Sequence, residues 1–363
     1  MTSAALVQPL FAGPVDIVGD VHGEIDALRS LLRHLGYRNG GVHPEGRRLV
    51  FLGDLTDRGP NSPAVVRLVS RLSRQGMAQC VLGNHDLNLL LGQRKHGNAW
   101  FFGQPEALDK TGRVVPQALA DDRARALTLE LFRRLPLVLE RDDLRVVHAC
   151  WHPAAVEVAR AAGEADVVEL LRTSREMIDE QLGRLAGGPA RLEQVLAEFS
   201  MSPEEAEVTF TGRRQGKEAI TGSLREALTD DVGRGLARQN WNPVKVLTSG
   251  PERRVPEPFW ASGKWRHEGR APWWQGYEGE TWCVFGHYGR TRLPDDPAED
   301  DLFDDSRPYA PLGSNGRAAC IDYSAARRWQ ERLAGRPFRT ALAALRWPEK
   351  WLYFDTGRPV PLG

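Results

Sequence analysis

The stretch RLVFLGDLTDRGP, residues 48–60, decides how this chain is read. A near-continuous apolar run, Leu49 to Leu52, stops at Gly53 and is followed at once by Asp54, then by Asp57, Arg58 and the turn residues Gly59 and Pro60. Short apolar runs closed by Gly and a polar residue are the mark of strands covered on both faces.

The same form recurs outward from this stretch. VDIVGDVHG (15–23) and AQCVLGNHD (78–86) flank it, and LRVVHAC (144–150) and TWCVFGH (281–287) repeat it later. Between the first two runs, Ile25, Leu28, Leu31, Leu32 and Leu35 fall at helical spacing with Gly36 as a stop, and Pro63 to Arg74 carries a second apolar stripe. Alternating strand and helix predicts an α/β layer fold, in which ligands gather outside the carboxyl ends of the strands. Every acidic, His or Asn cluster quoted above sits at such an end.

Those clusters support one chemistry. Asp20 and His22 are two residues apart, so on an extended strand end both face the same way and can share an ion. Asp54 has two oxygens and can bridge two ions, while Asn84, His148 and His287 offer an oxygen and two nitrogens to the second. Mixed N and O donors suit manganese, iron, zinc or nickel, and the absence of Cys donors argues against a structural zinc site. Two such ions activate a water and clamp phosphoryl oxygens. Arg58 is placed to hold phosphate bidentately, and His85, oriented by Asp57, to protonate the leaving oxygen. Singly, each of these features has an ordinary explanation: Asp-x-His an exposed turn, Asp57 a helix cap, His148 a core histidine. Their joint occurrence at successive strand ends carries the reading.

The remaining histidines lack that support. His34, His43 and His267 read as surface or loop residues, and His152 as structural, since Pro153 argues against a helix there. His96, in RKHGNAW, lies on a loop that could line the site.

With Lys+Arg and Asp+Glu equal at 48 each over 363 residues, no overall basic field favours nucleic acid or anionic membrane. The four cysteines, Cys80, Cys150, Cys283 and Cys320, are widely spaced and read as buried free thiols of a reducing compartment. No signal peptide or membrane span is evident, which makes the cytoplasm the expected location. Residues 153–240 are rich in Ala, Glu, Leu and Arg and predict a helical insertion or cap, whereas 251–282 and 294–316, rich in Pro and Gly, predict long loops.

The three clusters GDVHG, GDLTDRG and GNHD resemble the motifs GDxHG, GDxxDRG and GNHE of the phosphoprotein phosphatases among the calcineurin-like metallophosphoesterases. HPEGRRLVFLGDLTDRGP, GNHDLNLLL and the ending RTALAALRWPEKWLYF are similar to the bacterial branch that contains the dinucleoside tetraphosphatases. The resemblance implies a four-layer α/β (α+β) fold, a β-sandwich flanked by helices, spanning 13–363 and interrupted at about 153–240, rather than a purely doubly wound sheet. It implies that Asp20, His22 and Asp54 bind a first metal and Asp54, Asn84, His148 and His287 a second, manganese being the leading expectation. Arg58 is then the phosphate clamp, with His85 and Asp57 as the acid pair. A second phosphate-binding Arg has no motif; Arg290 in GHYGR is the candidate, and Arg213 and Arg254 are no better supported. HAC for HAG, Ile321-Asp322-Tyr323-Ser324 for IDTG, and GHYGR depart from the family around the substrate pocket.

The expected activity is metal-dependent hydrolysis of phosphomonoesters on proteins or small molecules. The alternative is a dinucleoside polyphosphate, whose base the Trp-rich loops could stack. A nuclease of the same superfamily would usually lack the Asp-Arg-Gly element, and a non-catalytic binding protein would commonly lose ligands that are all present here.

Overall fold

The computed structural model describes residues 4–38, 41–107, 114–184, 231–261, 264–292, 301–303 and 306–363. Two sheets face one another. One is six-stranded: β2 (Val15–Val18), β3 (Arg48–Phe51) and β4 (Ala78–Cys80) run parallel, and β13 (Ala343–Trp347), β14 (Trp351–Phe354) and β15 (Val360–Pro361) extend it antiparallel, in the order β15-β14-β13-β2-β3-β4. The other is five-stranded, ordered β1 (Val7–Pro9), β7 (Val138–Arg141), β8 (Leu144–Val147), β11 (Trp282–Phe285) and β12 (Ala318–Cys320), with the last three parallel.

Side-chain alternation explains why both sheets are needed. In β2, Val15 and Ile17 point into the space between the sheets, where they join Val50, Leu345 and Trp347 from their own sheet and Leu139, Val146, Trp282 and Val284 from the other. Val18, Leu49 and Phe51 belong to a second cluster with the apolar faces of α1 (Ile25–His34) and α2 (Ser62–Arg74). Each fully buried aliphatic side chain in these layers contributes about 1.5–3 kcal/mol. The result is the sandwich with flanking helices and not the doubly wound sheet that strand and helix alternation alone suggests.

Both early helices follow their signals. The Asn61 side chain accepts the Ala64 N–H at 3.0 Å, with Pro63 in the first turn of α2. Past β4 come α3 (Asn84–Leu90), the short pair β5 (Glu106–Ala107) and β6 (Val114–Val115), and α4 (Asp122–Phe132). The described parts of 153–240 form α5 (Pro153–Ala162), α6 (Val167–Arg184) and α7 (Asp231–Asn240), followed by α8 (Pro243–Ser249). The middle of that span, 185–230, including Arg213, lies outside the described residues. His152 is structural, but for the opposite reason to the one expected: Pro153 starts α5, and the His152 ring accepts the Ala155 N–H as its cap.

Two expectations are corrected. Most of 251–282 is not loop: β9 (Glu252–Ala261) and β10 (Lys264–Arg270) pair antiparallel. Pro256 and Pro258 hide the strand in the sequence, yet proline is tolerated where a two-stranded ribbon leaves edge N–H groups unpaired. His43 is buried, its Nε2 3.0 Å from the Leu35 carbonyl, and not a surface residue. The helix α9 (Arg328–Leu333) precedes the last strands. All four cysteines are buried and free. Among the described residues, no helix is long and apolar enough to cross a membrane.

Candidate metal and phosphate site

The carboxyl ends of β2, β3, β8, β11 and β12 converge, although they belong to different sheets. A cavity of about 260 Å³ opens there, lined among others by Asp20, His22, Asp54, Arg58, Asn84, His85, Arg270, His287 and Asp322. Six of the seven described non-glycine residues with left-handed backbone, His22, Asp54, Asp57, Arg58, His287 and Ser324, belong to this region. Such concentrated strain persists only where the surrounding fold imposes it. Gly83 and Gly286 allow the close approach: a Cβ at either would overlap the carboxylate of Asp54 or of Asp20.

Backbone carbonyls orient the imidazoles. His22 Nδ1 lies 3.1 Å from the Thr56 carbonyl and His148 Nδ1 2.6 Å from that of Leu52, so each ring keeps its proton on Nδ1 and turns Nε2 inward. His22 Nε2 is 3.6 Å from Asp54 Oδ2, and His148 Nε2 is 3.5 Å from Asp54 Oδ1. Asn84 Oδ1 lies 2.9 Å from His287 Nδ1 and 3.3 Å from His148 Nε2. Donor atoms of His22, Asp54 and His85 form one close group and those of Asp54, His148 and His287 another, with Asp54 common to both.

The electrostatics call for cations. Burial, together with the Asp322 and Asp54 carboxylates, pushes Asp20 well above the usual carboxylate range, and its buried Oδ1 accepts no hydrogen bond among the described residues. Burial opposes ionisation of Asp54, yet the imidazoles of His148, His85 and His22 hold it well below that range. Burial likewise opposes a charge on His148, but the Asp54 and Asp20 carboxylates push it up to about 10. Burial and the neighbouring guanidiniums of Arg58 and Arg270 keep His22 and His287, respectively, neutral. The neutral nitrogens of His22 and His287, the Asp54 carboxylate and the Asn84 amide oxygen, beside the orphaned Asp20 oxygen, fit divalent ions, whose charge would take the place of the proton that the acidic groups draw onto His148.

Beside this group, His85 Nδ1 is 2.7 Å from Asp57 Oδ2, and the other carboxylate oxygen accepts Trp100 Nε1–H at 2.8 Å. Asp57 and Trp100 are fully buried. Asp86, next in sequence to His85, is structural: it accepts the backbone N–H groups of Leu55 and Gly83.

The structure brings Asp20, His22, Asp54, Arg58, Asn84, His85 and His287 to one cavity wall, with His148 directly behind Asp54 and Asn84 and Asp57 behind His85. It does not bring Arg290. That side chain is 2% exposed, and its guanidinium donates to the carbonyls of Arg307, Ala310 and Cys320. Arg254 is exposed on β9, away from the cavity. Two further arginines line the cavity, Arg270 at the end of β10 and Arg327 just before α9, and a further carboxylate is Asp322. Asp322 follows the apolar run of β12, so the strand-end pattern that marks the other residues also covers it. Arg270 carries no such signal, because its position depends on the hairpin.

Residues 13–173 match the family described as calcineurin-like phosphoesterase. The chain carries a calcineurin-like phosphoesterase domain. The candidate ligands from Asp20 to His148 lie inside the match, while Arg270, His287 and Asp322 lie beyond it and reach the site through β10, β11 and β12. A bis(5'-nucleosyl)-tetraphosphatase PrpE [asymmetrical] of Halalkalibacterium halodurans is 39% identical over 145 residues, 37% of this chain and 56% of that protein. A symmetrical bis(5'-nucleosyl)-tetraphosphatase of Janthinobacterium is 38% identical over 156 residues, 42% of this chain and 49% of that protein. The chain spans about half the length of the curated relatives it matches. A solved cold-active protein-tyrosine phosphatase of a psychrophilic Shewanella aligns over 98% of this chain and 82% of its own at 12% identity and a TM-score of 0.42.

Proposed function

We propose that this phosphoesterase domain hydrolyses a dinucleoside polyphosphate with two bound divalent ions, manganese first among them. The observation that carries the metal assignment is Asp54, whose two oxygens face different imidazoles, His22 and His148. Asp20, His22 and Asp54 would hold one ion, and Asp54, Asn84, His148 and His287 the other. When bound, such a pair supplies Lewis acidity to the phosphoryl oxygens and lowers the pKa of water.

The chain's own residues do the rest. Arg58 flanks the cavity with a guanidinium that makes no hydrogen bond among the described residues, and Arg270 flanks it from β10. Both are free to take phosphate oxygens in pairs. His85 holds its Nδ1 proton toward Asp57 and presents Nε2 to the cavity, where it can protonate the departing oxygen.

The substrate assignment rests on the relatives named above, both bis(5'-nucleosyl)-tetraphosphatases. Phosphomonoester hydrolysis is the second reading, since the cavity residues Asp54, Arg58, His85 and Arg270 would serve any phosphoryl group alike. A panel of diadenosine tetraphosphate, an aryl phosphate and a phosphopeptide, run with Mn, Ni, Zn and Mg, separates them. The first reading expects kcat/KM to be highest for the dinucleotide. Asp54→Asn, at a left-handed position that Asn adopts readily, should abolish turnover while the protein stays folded. Undiminished activity would refute the site.

A further inference from the structure

The Trp-rich segment expected to stack a base does not do so with the tryptophans at 273 and 274. Trp274 is buried against Phe285 and Phe303, and Trp273 packs on Phe285 with its Nε1–H on the Ala149 carbonyl. The aromatic ring at the phosphate cavity is Trp329, which stands on α9 in a segment, AARRWQER, without a motif. We infer that Trp329, with His96 beside it and the Gln330 amide, forms a nucleobase subsite at the rim of the metal and phosphate cavity. This deepens the dinucleoside polyphosphate reading and rests on it for the biological ligand.

Three observations place a base there. Trp329 is the one Trp, Tyr or Phe among the described residues lining the cavity, and it is only partly buried. Its ring contact among those residues is His96, centroid to centroid 5.4 Å at 51°, so the pair forms an angled wall and not a closed stack. Gln330 is exposed, lines the same cavity and makes no side-chain hydrogen bond among the described residues. An amide of this type presents a donor and an acceptor that match adenine N7 and N6.

The platform is also held rigidly. On one side of Trp329, buried Arg328 donates to both Asp355 oxygens at 2.7 and 2.9 Å and to the Thr340 carbonyl at 3.0 Å. On the other, Arg332 donates to both Glu24 oxygens at 2.8 Å. The opposite wall is tied to the phosphate clamp, because the Arg58 N–H donates to the carbonyl of Gly97, the neighbour of His96, at 2.9 Å. A ring fixed before the ligand arrives loses little entropy on stacking.

The test is calorimetric binding to the manganese-loaded protein of two ligands that differ only by the nucleoside, α,β-methylene-ADP and methylenediphosphonate. The adenosine should tighten binding by about tenfold or more, as expected of one stacked base. Trp329→Ala should reduce that gain to within twofold, and Trp329→Phe should restore most of it. A wild-type protein that binds both ligands alike, or a gain that survives Trp329→Ala, overturns the subsite. The measurement involves no turnover, so failure of the subsite leaves the hydrolase reading to the substrate panel, and failure of that panel does not alter the binding result.

Discussion

Asp57→Asn tests how the proton reaches the leaving group. In the structure the Asp57 carboxylate divides its oxygens, Oδ2 to His85 Nδ1 at 2.7 Å and Oδ1 to Trp100 Nε1 at 2.8 Å. Tryptophan can only donate, so an Asn must keep its oxygen toward Trp100 and turn its NH₂ toward His85. Nδ1 must then accept, and the imidazolium loses the carboxylate that stabilises it. Position 57 has a φ of +77°, which Asn tolerates, so the backbone adds little strain. Exchanging one buried charge-assisted hydrogen bond for a neutral one should lower unfolding stability by about 1–2 kcal/mol. The kinetic effect should be larger and selective. With an alkyl phosphate or a nucleotide leaving group, which needs the proton, kcat should fall by about 10²–10³, within the usual range for general acid catalysis. With p-nitrophenyl phosphate, whose leaving group departs as an anion, the loss should stay below about tenfold on the same physical ground. Steady-state rates across leaving groups, with urea denaturation as the control, decide the matter. An equal loss for both substrates would show that Asp57 acts through folding or metal placement and not through His85.

Three further outcomes follow from particular contacts. Arg290→Met, which removes a buried guanidinium and its donors to the carbonyls of Arg307, Ala310 and Cys320, should cost about 2–3 kcal/mol in chemical denaturation and leave KM for an aryl phosphate unmoved; Arg270→Met should raise that KM about tenfold with stability nearly intact. Stripping metals should lower the thermal midpoint, and manganese at about 100 times its Kd should restore about 2.7 kcal/mol; a midpoint indifferent to chelation would contradict the carboxylate and imidazole cluster as a cation site. Glu252, raised by burial and by Glu268, keeps its proton longer folded than unfolded, so its contribution is fully present below the ordinary carboxylate pKa and lost as pH rises through the raised one. Glu252→Gln should therefore gain stability over wild type as urea titrations move from acidic to neutral pH, and a constant difference would refute the assignment.

Much of this was legible in the chain because strand ends announce themselves. Asp20, His22, Asp54 and Asn84 follow apolar runs within a single stretch of local sequence, and local order fixes which of them can be neighbours. His148 and His287 were legible by the same rule, and so was Asp322, although the family pattern drew attention to what it had replaced. Arg290 misled because GHYGR places it close to His287 in sequence; a strand end turns sharply there, at the left-handed His287, and the next residues run down into the protein. The prolines at 256 and 258 concealed β9, and with it the means by which Arg270 reaches the cavity.

The sequence by itself determined the donors, their order along the strands and the helices that cover the outer faces, because each depends on residue type and on periods of two or 3.6 residues. Tertiary structure decided that the two sheets stack with their carboxyl ends together, so that His148 and His287 from one sheet meet Asp54 and Asn84 from the other. It decided likewise that Arg270 rather than Arg290 faces the cavity of the candidate site, and that Trp329 is the ring at its rim. The physical reason is common to all three: burial of apolar faces between and around the sheets fixes their relative placement, and no local pattern encodes which distant residues that packing brings together.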